Sequence, residues 1–162
     1  MTEGPFWEPA EGLPHQLTEE LFELSSAIDL IGRATADVLG INQTDLICLE
    51  LLVRRGPMGA GEVAQALGVT TAAVSAMASR LEAGGYARRE MDPNDRRRVR
   101  LHASRSGAKQ AFSLFNGLHQ ASSELLGELR QRDQTLLLNT LRRYRDLISQ
   151  HTTGIKDGSA RA

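Results

Sequence analysis

Cysteine is almost missing from this chain. Cys48 is the only one in 162 residues, so no intrachain disulfide can form and a reducing compartment is expected. Aromatic residues make up only 4%, so the core must be built from Leu, Val, Ile and Ala. No run of about 18 apolar residues occurs, which argues against a membrane-spanning helix. The opening stretch "MTEGPFWEPAEG" is acidic and rich in Pro and Gly, with no basic segment ahead of an apolar one. It does not read as a signal peptide, and the cytoplasm is the expected location. Net charge is −1, so the chain is no bulk polycation, and any nucleic-acid footprint must be local. Catalytic signatures are missing as well. There is no Gly-rich phosphate loop, no nucleophile elbow and no carboxylate cluster, so no enzyme is expected. His15, His102, His119 and His151 include no pair at i, i+3 or i+4, so neither a metal site nor a cofactor is expected.

The length suits about one domain, and an apolar content of 41% with only five prolines favours a mainly helical globular protein. Residues 1–14 read as a flexible arm, in which Phe6 and Trp7 are unusual. From Leu17, the apolar residues Leu21, Leu24, Ile28 and Ile31 recur at spacings of three and four, the mark of one helix face. Gly40 ends that helix, and Asn42 can cap a second one through "QTDLICLELLVRR". "GPMGAG" breaks it. A short helix in "GEVAQALG" follows, then "VTTAAVSAMASRLEAGG", with Thr70 or Thr71 as cap and Val74, Met77 and Leu81 as its buried stripe. "YARREM" and "RRRVRLHA" then form a hairpin around "DPND". Val99, Leu101 and Ala103 alternate with Arg98, Arg100 and His102, as in a half-buried strand, and Pro93 suits a type I turn. Ser104 caps a long helix to about Leu129, and a last helix runs from about Asp133 to Gln150. Residues 151–162 read as a disordered tail.

The middle of this order is a winged helix-turn-helix, with Gly68 at the turn. The exposed face of its second helix is expected to carry Thr71, Ala72, Ser75, Ala76, Ser79 and Arg80. Small residues there let the helix backbone approach DNA, and hydroxyls and methyls can touch phosphates and base edges. The same small residues would also suit packing against another helix. The hairpin favours DNA. Residues 80–105 hold eight arginines against four acids, and Arg96, Arg97 and Arg98 sit at its turn. Such a tip fits the negative potential of the minor groove or its phosphate rims, with Asp95 able to orient a neighbouring arginine. A protective charged edge needs no such one-sided charge. Of the 19 basic residues, 17 are Arg, a bias that a GC-rich genome produces equally well.

The run "GEVAQALGVTTAAVSAMASRLEAGGYARREMDPNDRRRVRL" resembles the MarR family of bacterial transcriptional regulators. "LGVTTAAVS", "RLEAGGYARR" and "DPNDRRRVRL", followed by "SRSG", carry the resemblance over residues 57–107, and the flanking helices extend it to about 17–150. The resemblance implies a homodimer with interleaved terminal helices, each winged domain facing half of a pseudo-palindrome in double-stranded DNA. It places Thr70, Thr71, Ala72 and Ser75 at groove-facing positions. Arg97 takes the place of the minor-groove arginine and Asp95 that of the acid orienting it, with Arg96 and Arg98 as phosphate contacts. Ala73 and Ala76 depart from the Gly or longer polar residues of many relatives, so base readout by side chains is expected to be sparse. Ala103 stands where a larger apolar residue is usual. The family often binds small amphipathic or aromatic acids in a cleft. Candidate lining here is Ile28, Ile31, Ile47, Leu51, Phe112 and Phe115, with Arg33 as anion partner, although each also suits a core position. Redox-sensing relatives use a cysteine nearer the N-terminus. Cys48, in an apolar helix, reads as a buried small side chain.

The expected fold is therefore mainly α: a winged helix-turn-helix over 41–103 and a helical dimerisation region over 15–40 and 104–150. The expected function is a ligand-responsive transcriptional repressor. The alternative is a winged helix that has lost DNA binding and docks proteins. Salt separates the two, because only contacts to phosphates release counterions.

Overall fold

The computed structural model describes residues 12–92, Asp95, 98–156 and Gly158. The first helix, α1, spans Leu13–Leu39, with Pro14 in its first turn, where a missing N–H costs nothing. It thus starts within the stretch read as a flexible arm; residues 1–11 lie outside the described ones. Gly40 ends α1 in the left-handed conformation at φ 67°. Helix α2, Gln43–Arg55, opens on Asn42, whose side chain accepts the Asp45 N–H at 2.8 Å. That cap satisfies one of the four free N–H groups at the helix start.

"GPMGAG" breaks α2 as expected, but it also holds a strand that the sequence does not betray. Residues Met58–Gly59 form β1, which pairs antiparallel with β3 (Val99–Ala103), Met58 opposite Leu101. The wing is a three-stranded sheet in the order β1-β3-β2, where β2 is Ala87–Met91. The hairpin register sets Ala87 opposite Ala103 and Met91 opposite Val99. The alternation read in β3 holds at Leu101, which is buried, but Val99 is 51% exposed. At that point the hairpin runs out past the edge of the core, so Val99 is only partly covered.

Helices α3 (Ala60–Leu67) and α4 (Thr71–Ala83) form the helix-turn-helix. Gly68 joins them at φ 68°, a conformation that costs a side chain 1–2 kcal/mol. Thr70, not Thr71, is the cap of α4; its hydroxyl accepts the Ala73 N–H at 3.2 Å. Leu46, Leu49, Leu52, Val63, Val74 and Leu81 are all but fully buried, so α2, α3 and α4 share one aliphatic core closed by Leu101 of the wing. Tyr86 ties this core to α1, its hydroxyl donating to the Leu39 carbonyl at 2.8 Å. Ser104 caps α5, Arg105–Ser113, accepting the Gly107 N–H at 2.9 Å. A Cβ on Gly107 would stand 2.6 Å from the Tyr86 Cα, so "SRSG" requires its glycine for closeness, not for a turn.

The long helix expected from Ser104 to Leu129 is broken. After α5, residues Leu114 and Phe115 form a tight turn, and α6 spans Asn116–Gly127. The local cause is "FNG": Asn116 and Gly117 are poor helix formers, and the Leu114 N–H takes a short-range bond to the Ala111 carbonyl. The chain divides here into two compact units, one ending at Leu114 and one starting at Phe115. In the second unit the last helix, α7, spans Gln131–Lys156. It begins two residues before the expected Asp133 and continues into the stretch read as a disordered tail. The Thr152 and Thr153 hydroxyls donate to the Ile148 and Ser149 carbonyls within it. Gln134 closes the α6 end by donating to the Leu126 and Leu129 carbonyls at 3.0 and 3.1 Å.

Cys48 is fully buried in α2, and burial together with the neighbouring Asp45 carboxylate pushes its thiol from 9.0 up to about 11. The folded value exceeds the unfolded one. The resulting stabilisation is therefore intact below about pH 9 and is lost as pH rises toward 11, about 2–3 kcal/mol in full. Urea midpoints at pH 8 and pH 10.5 are expected to fall further for the wild type than for Cys48→Ala. Parallel falls would show that the thiol ionises as easily folded as unfolded.

Candidate nucleic-acid interface

Helix α4 divides cleanly between core and solvent. Val74, Met77, Ala78 and Leu81 are buried, and Thr70, Thr71, Ala72, Ser75, Ala76, Ser79 and Arg80 are exposed. The helix-turn-helix therefore brings these seven residues to one accessible side of the first unit. Ala73 is half-buried against the core, which accounts for a small residue there.

Arg80 has a further engagement. Its Nε donates to Asp45 Oδ2 and its Nη2 to Asp45 Oδ1, both at 2.7 Å. This is the two-pronged geometry that only arginine makes with a carboxylate. Asp45 is 1% exposed, whereas the Arg80 side chain is 49% exposed. The hydrogen bond to Asp45 raises the Arg80 pKa further, so the guanidinium stays charged. The pair joins the first turn of α2 to the last turn of α4. The sequence marks Arg80 only as a candidate DNA contact and gives Asp45 no role, because their separation along the chain leaves no local signal.

Two of the four wing candidates fall within the described residues. Asp95 Oδ2 lies 3.3 Å from Arg98 Nε, the arginine largely in water and the aspartate half-buried. The Arg98 N–H donates to the Asp95 carbonyl and the Asp92 N–H to the Arg98 carbonyl, each at 2.8 Å, which closes the hairpin. Arg96 and Arg97 lie outside the described residues. Arg100, near the outer end of the hairpin ladder, is held between Asp92 and Glu62, 3.6 Å from each. Glu62 also accepts the Gly59 N–H at 2.7 Å. That bond, then Arg100, holds the Glu62 carboxyl below its usual range.

The residues proposed to line an effector cleft differ in burial. Leu51 packs on the core, but Ile28, Ile47 and Phe112 are 58%, 45% and 41% exposed. Arg33 is exposed and lies about 200° around α1 from Ile31, so the two face different sides. Phe115 belongs to the second unit. Among the described residues, no group of His, Cys, Asp and Glu is arranged to hold a metal. No described helix is long and apolar enough to cross a membrane.

A helix-turn-helix braced by a three-stranded wing defines a winged-helix protein. Comparison with known proteins gives the family. The MarR family model matches residues 39–98. The uncharacterized HTH-type transcriptional regulator YcgE of Bacillus subtilis is 33% identical over 134 residues, 83% of this chain and 87% of its own. A MarR family protein of Bacillus stearothermophilus shares the fold with a TM-score of 0.65 at 16% identity, covering 83% of this chain and 94% of its own. A mutant MepR from a multidrug-resistant S. aureus isolate does so with a TM-score of 0.67 at 17% identity, covering 82% and 96%. This chain belongs to the MarR family: it is a DNA-binding transcriptional regulator and not an enzyme.

Proposed function

We propose that the protein is a homodimeric repressor that reads a pseudo-palindromic operator and releases it when a small amphipathic or aromatic acid binds. The observation that carries the reading is the exposed small-residue face of α4, on the same core as a wing whose Arg98 side chain is exposed. Thr71, Ala72, Ser75 and Ala76 enter the major groove, with few side chains long enough for base readout. Arg97 reaches the minor groove, and Arg96 and Arg98 hold phosphates. Half-sites roughly 34 Å apart need two copies, and an effector that shifts the wings by a few ångströms costs contacts at both. Exposed apolar residues on α1, including Phe22, Leu24 and Ile28, support the dimer.

The test is fluorescence anisotropy on the DNA upstream of the gene, beside a scrambled duplex, at low and moderate salt. Tight, salt-sensitive binding that prefers the native fragment is expected. Arg97→Ala is expected to weaken it by about tenfold and to lower the salt slope by about one, leaving the dimer intact. Weak binding to both duplexes, insensitive to salt, would favour a protein-docking winged helix instead.

A further inference from the structure

Arg89, in the first strand of the wing hairpin, grips α4 along its length. Its Nη2 donates to the Ser75 carbonyl at 2.9 Å and to the Ser79 hydroxyl at 3.2 Å. Its Nη1 pairs with Glu82 Oε2, while its backbone N–H donates to Glu82 Oε1 at 2.7 Å. The Ser79 hydroxyl in turn donates to the Ser75 carbonyl at 3.0 Å. One side chain of the wing thus holds residues 75, 79 and 82, spanning about two turns of the helix.

We infer that Arg89 and Glu82 are positioning residues that set the orientation of α4 against the wing, and through it the discrimination between DNA sequences. The inference rests on the reading of α4 as the groove-entering helix. Val74, Met77 and Leu81 fix how deeply α4 sits on the core, but apolar contacts have no direction and tolerate a small rotation or slide. Hydrogen bonds and a charge pair have direction, and the clamp supplies them on the side next to the wing. Arg89 commits both terminal nitrogens to protein acceptors, which leaves it ill suited to hold a phosphate. Glu82 points the same way. A carboxylate beside a polyanion opposes binding by simple Coulomb repulsion, so its place in the last turn of the recognition helix requires a compensating task. Holding Arg89 is that task.

The test turns on the sign of one effect. Wild type, Glu82→Gln, Arg89→Lys and Arg89→Gln are compared on a duplex that the wild type selects from a random-sequence pool, and on a scrambled duplex. Thermal melts and molecular mass accompany each titration. Glu82→Gln removes a negative charge, so electrostatics alone would tighten binding to both duplexes. The clamp predicts the opposite on the selected duplex: its affinity ratio over the scrambled one falls by about tenfold, with the salt slope unchanged. Arg89→Lys keeps the charge but lacks the planar fork, and the ratio falls with it. Equal weakening on both duplexes by Arg89→Gln, with a salt slope reduced by about one, would make Arg89 a phosphate contact and overturn the proposal. A ratio kept in full by Glu82→Gln and Arg89→Lys would overturn it too. Unfolded variants would make the pair an element of stability and not of orientation. A wild type that enriches no sequence would overturn the functional reading itself, and the clamp's role with it.

Discussion

A chain ending at residue 130 is expected to stay monomeric, without the proposed homodimer of the full chain. Light scattering should then report about two-fifths of the mass of the full-length dimer, and operator affinity should fall by a factor on the order of a thousand as one half-site is lost. The reason lies in α7. Leu136, Leu138, Leu147, Ile148 and Ile155 are 66%, 48%, 58%, 53% and 62% exposed on the single chain. With Leu137 between them, Leu136 and Leu138 cover about 200° of the helix circumference, more than the stripe of an ordinary surface helix. A helix apolar over so wide an arc needs partners on more than one side, and an isolated chain leaves this surface in water. The double substitution Leu147→Glu with Ile148→Glu keeps the helix and its length, and it should dissociate the dimer as well. A truncated chain that remained dimeric at micromolar concentration would place the interface elsewhere.

The parts of this protein that were legible in its sequence are those fixed by neighbours along the chain. Asn42, Thr70 and Ser104 announce helix starts because each cap bonds a backbone N–H three residues on. Gly40 and Gly68 announce helix ends because the left-handed conformation is cheap only for glycine. The exposed face of α4 follows from period 3.6 alone. What was hidden depends on partners far along the chain. Strand β1 is two residues long, too short for any alternation, and exists only through β3. The break at Leu114–Phe115 was masked because Phe112, Phe115 and Leu118 keep helical spacing straight through it. The Arg89–Glu82 clamp lies across the glycine turn that ends α4, and no local pattern marks its two residues as partners. Arg80 looked like one more exposed arginine because its partner lies on another helix.

That partner makes Arg80→Ala the substitution with the largest expected effect on stability. Asp45 is 1% exposed, and Arg80 donates a hydrogen bond to each of its carboxylate oxygens. Removing the guanidinium leaves a buried carboxylate without its counter-charge, the costly half of breaking such a pair. Water reaches the Arg80 side and offsets part of that cost, so the melting temperature is expected to fall by about 5–10 °C. Asp45→Asn is expected to be milder, since a neutral amide tolerates burial better and the arginine it frees is already half in water. The double variant Arg80→Ala with Asp45→Asn should recover much of the loss of Arg80→Ala, which is the signature of a direct interaction in a double-mutant cycle. An additive double variant would mean that the two residues act separately. DNA titrations of Arg80→Ala, run well below its melting temperature, then separate the two roles available to this arginine. A salt slope equal to that of the wild type assigns Arg80 to holding α4 on α2. A slope lowered by about one assigns it a phosphate as well, reached from its exposed side while Asp45 keeps the other.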